Sequence, residues 1–299
     1  MKRRMWRWGI LVLMVAGLLK SMGCALGRQA LAREETRWAR NPETGVIVGA
    51  ESKALGDPGS ATAVLLLHGF IGSVGDFNQL GERLAAEGHF VRAPLLPGHG
   101  TRPQELAEVT ADDLRKAARD EFDRLASDHE CVFVVGFSMG GSLATLLAAE
   151  RPVDRLVLIA PYYDVSHRWY YVLPPHVWNH LVGGMFDFLP KYRPFICVNR
   201  KEARGAWPTY GAVGSVSVRM IEELGRRARD PEILAKITMP VLHLHAARDR
   251  VSSPRAARKV IAQIPAATKE QVWYTRSNHI LLWDYDADDV EKRVVEFLR

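Results

Sequence analysis

The chain has 299 residues and a formal net charge of +6, long enough for one α/β domain with a large buried core. The charge is not spread evenly: residues 1–40 hold nine Lys or Arg against two Glu, while the rest is close to neutral, so no basic nucleic-acid-binding face is implied. Three cysteines make no disulfide framework, and no Cys/His spacing suggests zinc.

Lys2, Arg3, Arg4 and Arg7 precede an uncharged run from Trp8 to Leu19. That run is shorter than the roughly 20 residues needed to span a bilayer, and it fits the basic and apolar regions of a signal peptide. Cys24 follows Ser21-Met22-Gly23, similar to a bacterial lipoprotein cleavage box except for Ser21, where the box usually has an aliphatic residue. Residues 1–40 are therefore expected to be a signal or anchor segment and stalk. They would place the protein in the cell envelope, exported or membrane-anchored, with Cys24 a candidate lipidation site. The plainer alternative is an uncleaved anchor with Cys24 incidental.

The body then alternates strand and helix. Val64–Leu67 is an all-apolar run, as expected for a strand buried on both faces. Ser73 with Asp76 predicts a capping box before a helix that puts Phe77, Leu80 and Leu84 on one face. His89–Ala93 reads as a strand. Thr110 with Asp113 repeats the capping pattern before an apolar stripe of Leu114, Ala117, Ala118, Phe122 and Leu125, with Glu121 the one discord. Strands are expected at 131–135 and 155–160, then at 241–245 after a break in the alternation. Ser253-Pro254 starts a helix, 271–275 is a last strand and 286–298 a last amphipathic helix. Such units predict a mostly parallel sheet with helices on both faces.

Gly136-Phe137-Ser138-Met139-Gly140-Gly141 follows the strand at 131–135 and opens a helix of small residues. A turn this tight presents the Ser138 hydroxyl above the sheet edge, and Gly136 and Gly140 leave room for close backbone approach. Serine needs a base to take its proton and an acid to orient that base, and in this strand–turn–helix setting the acid and then the base follow in the chain. Asp249, in the loop after strand 241–245, suits the acid, and Asp230 before Pro231 reads as a cap. His279, between the last strand and last helix, is the histidine that follows that acid; His243 and His245 precede it, and His176 and His180 lie in the interrupted region. Acyl transfer also needs two donors for the oxyanion, and the backbone N–H groups of Phe70 and Met139 are the candidates. His68 is expected to be structural, and Gly98-His99-Gly100 a turn.

Together, His68-Gly69-Phe70, Gly98-His99-Gly100, the Ser138 elbow, Asp249 and His279 resemble the α/β-hydrolase fold, and within it the bacterial carboxylesterase and monoacylglycerol lipase branch. The resemblance covers roughly residues 60–160 and 235–299; Ala246 departs from it, standing where relatives usually carry glycine. It implies a serine ester hydrolase that uses a Ser138–His279–Asp249 triad and no cofactor.

Residues 41–161 and 221–299 would then form the core and 162–220 a cap insertion. The insertion holds 12 of the chain's 26 Phe, Trp and Tyr, among them Trp169, Tyr170, Tyr171, Trp178, Phe186, Phe188, Tyr192, Phe195, Trp207 and Tyr210. An aromatic cap suits a small apolar ester, although part of this set would simply form the cap's own core. The leading expectation is a hydrolase of monoacylglycerols, lysophospholipids or short acyl esters. The alternatives are an acyltransferase, an amidase or aminopeptidase (which would need an acidic pocket for the amine), and a non-catalytic binding protein. A haloalkane dehalogenase would want a carboxylate at position 138.

Overall fold

The protein is described by a computed structural model covering residues 2–166, 177, 183, 186–190 and 197–299, with the backbone alone at residues 2–13 and 16. Trp169, Tyr170, Tyr171, His176, Trp178, His180, Tyr192 and Phe195 lie outside the described residues.

Helix α1 (Lys2–Glu35) leads into β1 (Lys53–Leu55), β2 (Thr62–Leu67), α2 (Leu80–Ala86) and β3 (Phe90–Ala93). Next come α3 (Pro103–Glu108), α4 (Ala111–Asp128), β4 (Cys131–Phe137), α5 (Met139–Ala148) and β5 (Arg155–Ile159). The insertion contributes β6 (Phe188–Pro190) and β7 (Ala212–Gly214), and is followed by α6 (Ser215–Ala228) and α7 (Pro231–Leu234). The chain closes with β8 (Val241–Ala246), α8 (Pro254–Gln263), β9 (Lys269–Tyr274) and α9 (Ala287–Leu298).

Seven strands form one sheet in the order β1-β3-β2-β4-β5-β8-β9, parallel except for β1, which pairs antiparallel with β3 at the edge. The mostly parallel α/β architecture is the one the alternation predicts. Along β2 successive side chains serve opposite faces. Leu65 and Leu67 join a core completed by α4, α5, α6 and α8, whereas Val64 and Leu66 pack with α2 and α9.

Local signals were accurate where their partners are local. The Thr110 hydroxyl accepts from the Asp113 N–H at 3.2 Å, and the Asp113 carboxylate accepts from the Thr110 N–H at 2.9 Å. Glu121 is no discord, because Arg92 on β3 forms a two-pronged pair with it at 3.0 Å per contact. The Ser73 expectation is corrected. Ser73 starts only a 3-10 turn, Val74–Phe77, which Asn78 (φ 51°) separates from α2. The Asp76 carboxylate is engaged elsewhere, on the Gly69 N–H and the Trp207 indole.

Two expected boundaries also move. A cap ending at 220 would cut α6, whose Met220, Ile221 and Leu224 are buried together in the main core. Residues 25–35 are not a free stalk: they continue α1 and dock on the cap, with Ala30 and Glu34 buried and Gly27 against Phe188 of β6.

Buried histidines give the fold a pH dependence. Burial, reinforced by neighbouring His99, pushes His68 down to about 3; burial likewise pushes His99 down to about 4. Both therefore fold as neutral imidazoles, while the unfolded chain takes up protons below the ordinary histidine value of about 6.5. Stability is thus complete above that value and falls as pH drops below it, by about 2 kcal/mol per histidine at about pH 5. Urea midpoints taken near neutrality and near pH 5 should show this acid loss. His99→Gln should flatten the dependence, and an unchanged slope in that variant would assign the loss elsewhere.

Candidate active site

The elbow is built by close packing at the carboxyl end of β4. A Cβ on Gly140 would overlap the Leu67 carbonyl, and one on Gly136 would overlap the Gly140 carbonyl and Ala144. Ser138 between them adopts φ 53°, ψ −115°, a strained conformation for a non-glycine residue. It is held there by its N–H donating to the Ile159 carbonyl at 3.0 Å and its carbonyl accepting from Tyr162 N–H at 2.9 Å.

The structure brings Ser138, His279 and Asp249 together from three strand ends. The Ser138 hydroxyl lies 2.8 Å from His279 Nε2, and His279 Nδ1 lies 2.8 Å from Asp249 Oδ2. All three residues are buried. The other Asp249 oxygen accepts from the Val251 and Ser252 N–H groups at 2.7 and 2.9 Å. Burial alone would raise the Asp249 carboxyl, but facing His279 and His245 hold it well below the usual carboxylate range, so it stays ionised.

Phe70 lines the same cavity as Ser138, and Met139 directly follows Ser138 in the chain. The Met139 N–H is the first of α5, where the helix dipole favours negative charge. Among the described residues neither N–H donates to a protein group, which leaves both available for an oxyanion. His68 is structural: its Nδ1 bonds the Gly69 carbonyl and its Nε2 accepts from the Leu96 N–H, both at 3.0 Å.

Several supporting residues escaped the sequence reading. Asp76 reaches back seven residues to the Gly69 N–H at 2.9 Å and accepts from Trp207 Nε1 at 2.8 Å, tying the Phe70 loop to the cap. Ile71 in that loop has φ 55°, unusual for a β-branched residue, and its carbonyl takes the Tyr210 N–H at 2.9 Å. Asn278 Oδ1 accepts from both Arg250 and His279 N–H groups, joining the acid loop to the base loop. Asp284 accepts from the Asn278, Asn199 and Arg200 N–H groups. His245 Nε2 lies 3.4 Å from Asp249 Oδ2. No local sequence pattern announces these contacts, most of which join residues far apart in the chain.

Ser138 and His279 open into a cavity of about 680 Å³ whose walls are mainly apolar, including Phe70, Phe137, Tyr162, Val213, Val218 and Ile221. Fold and site together define a serine hydrolase of the α/β-hydrolase class. The chain belongs to the family described as Serine aminopeptidase, S33, which matches residues 59–286. It is 26% identical over 242 residues to a carboxylesterase of Bacillus subtilis (strain 168), covering 80% of this chain and 93% of that protein. It is 28% identical over 235 residues to a thermostable monoacylglycerol lipase of Bacillus sp. (strain H-257), covering 78% and 89%. In fold it is similar to a metagenome-derived lipolytic enzyme, with TM-score 0.72, 23% identity and coverage of 85% of this chain and 99% of that one. It is also similar to the monoacylglycerol lipase of Paleococcus ferrophilus, with TM-score 0.69, 20% identity and coverage of 83% and 97%.

Proposed function

We infer that this chain is a serine carboxylic ester hydrolase of the carboxylesterase and monoacylglycerol lipase type. The observation that carries the inference is a hydrogen-bonded Ser138–His279–Asp249 chain opening into an apolar cavity beside two unused backbone N–H groups. Ser138 Oγ attacks the ester carbonyl while His279 Nε2 takes its proton. The Phe70 and Met139 N–H groups receive the oxyanion, and Asp249 holds the imidazole and offsets its charge. His279 returns the proton to the leaving alcohol, and water releases the acyl group by the same steps. The similarity to carboxylesterase and monoacylglycerol lipase over most of the chain supports this reading.

An aminopeptidase, the activity in the family's description, needs a carboxylate for the substrate ammonium. Asp76 is the one acid among the described lining residues, and it is bonded to Gly69 and Trp207, while Arg37 and Arg204 line the same cavity. This arrangement favours esters. Fluorophosphonate labelling at Ser138, with esters of graded acyl length run beside aminoacyl amides, tests the assignment. Amide turnover without ester turnover would overturn it.

We further propose that the N-terminal segment holds the protein at a membrane. Among the described residues no helix is long and apolar enough to cross one. The support is the exposed apolar stripe of α1, formed by Met14, Leu18, Met22 and Leu26 at four-residue spacing with Val15 and Leu19 beside it. Deleting residues 1–27 spares the buried Ala30 and Glu34 and all residues assigned to catalysis. Full-length protein should fractionate with membranes, whereas the truncated protein should stay in the supernatant and remain active. Cys24→Ser would block any acyl attachment there. Full-length protein with an intact N-terminus found free of membranes would refute the anchor.

A further inference from the structure

The charges on the cavity wall are unequally matched. Asp76 is committed to Gly69 and Trp207, and Arg37 lies 3.3 Å from Glu34. Arg204 also lines the cavity, yet among the described residues its side chain makes one hydrogen bond, a marginal 3.5 Å contact from Nη2 to the Val198 carbonyl. Among the described residues no carboxylate lies within ion-pair distance of it. The neighbouring Gly205 (φ 81°) leaves open space, since a Cβ there would meet nothing within 4 Å.

The backbone ties the segment just before Arg204 to the chemistry. Residues 197–200 are strapped to the loop that carries His279, and the 3-10 turn Lys201–Ala203 leads directly to Arg204. The Ile280 N–H donates to the Cys197 carbonyl at 3.1 Å, the Asn199 and Arg200 N–H groups donate to Asp284 at 2.8 and 2.9 Å, and Asn199 Nδ2 reaches the Arg276 carbonyl at 2.8 Å. In acyl transfer the imidazole that accepted the serine proton must deliver it to the leaving oxygen, so the alcohol part of an ester lies on the His279 side. The apolar wall supplied by β7 and α6, with Val213, Val218 and Ile221, is left for the acyl chain.

Resting on the ester hydrolase reading, we propose that Arg204 recognises an anionic group, phosphate or carboxylate, on the alcohol part of the substrate. A guanidinium offers a planar fork that matches either anion, and it does so best when no protein carboxylate already occupies it. The favoured substrate is thus an apolar acyl ester of a negatively charged alcohol rather than of a neutral one.

The test uses three soluble esters with the same short acyl group: butanoylglycerol, butanoylglycerol phosphate and O-butanoyl-lactate. The expected result is a kcat/KM for one or both anionic esters about ten-fold above the neutral ester, shrinking as salt is added because the guanidinium is exposed to screening. Preference for phosphate alone, for carboxylate alone or for both identifies the anion and supports the proposal in each case. Arg204→Gln should collapse the anionic-to-neutral ratio, Arg204→Lys should keep part of it, and Arg204→Glu should invert it. A merely structural role would lower all three substrates together and leave the ratio unmoved, which would overturn the proposal. Turnover of the neutral ester with no anionic preference in the wild type would overturn it too, while leaving the esterase reading standing. Failure to cleave any of the three, with no labelling of Ser138, would remove both.

Discussion

Replacing Ser138 with alanine is expected to lower ester turnover by at least about 10³-fold, with thermal stability nearly unchanged. Alanine removes one oxygen and keeps the Cβ, so the close approaches at Gly136 and Gly140 that shape the turn persist. The lost oxygen is the one 2.8 Å from His279 Nε2, and no other hydroxyl or thiol is hydrogen-bonded to that nitrogen among the described residues. The residual rate would come from the oxyanion donors and binding alone. Steady-state hydrolysis and fluorophosphonate labelling of the purified variant, with a melting curve as control for folding, make the measurement. Substantial turnover in a folded Ser138→Ala protein would remove Ser138 from the nucleophile's role.

Asp249→Asn should lower kcat by about 10⁴-fold while changing KM little. The substitution nearly preserves shape, so substrate contacts in the cavity survive. What changes is the partner of His279. In the native site Asp249 Oδ2 accepts from His279 Nδ1 at 2.8 Å and Oδ1 accepts from two backbone N–H groups, so both oxygens act as acceptors. An amide can supply one acceptor atom. If its oxygen stays with the Val251 and Ser252 N–H groups, its NH₂ faces His279 and favours the tautomer with the proton on Nε2, the wrong nitrogen to accept from Ser138. The amide also lacks the charge that offsets the imidazolium formed during attack. The loss should persist at every pH, because the native carboxyl is held so low that it is ionised throughout the working range. A variant with near-native kcat would move the acid elsewhere.

The elements legible in the chain are those whose cause is local. The Thr110 cap and the Ser253-Pro254 helix start each depend on groups within about four residues; the Gly-x-Ser-x-Gly turn is written in consecutive residues although Leu67 and Ile159 pack against it, and each lies where the residues placed it. Asp249 and His279 were legible because chain order and strand alternation put both at the same sheet edge. That argument used topology alone, and the 2.8 Å contacts followed from it.

Tertiary structure decided the rest. Ser73 and Asp76 carry the same local signal as Thr110 and Asp113, yet Asp76 binds Gly69 and a Trp207 that lies 131 residues away. A buried carboxylate takes the donors that burial leaves without water, and distance along the chain does not enter that choice. Composition marked residues 1–40 as distinct, but the docking of α1 on the cap, where Gly27 lies against Phe188 and Ala30 and Glu34 are buried, is one no periodicity encodes. The sequence by itself thus determined the fold class, the nucleophile turn and the order of its partners. Packing determined which charges were spent inside the protein and, among the described residues, left Arg204 lining the cavity without a carboxylate partner.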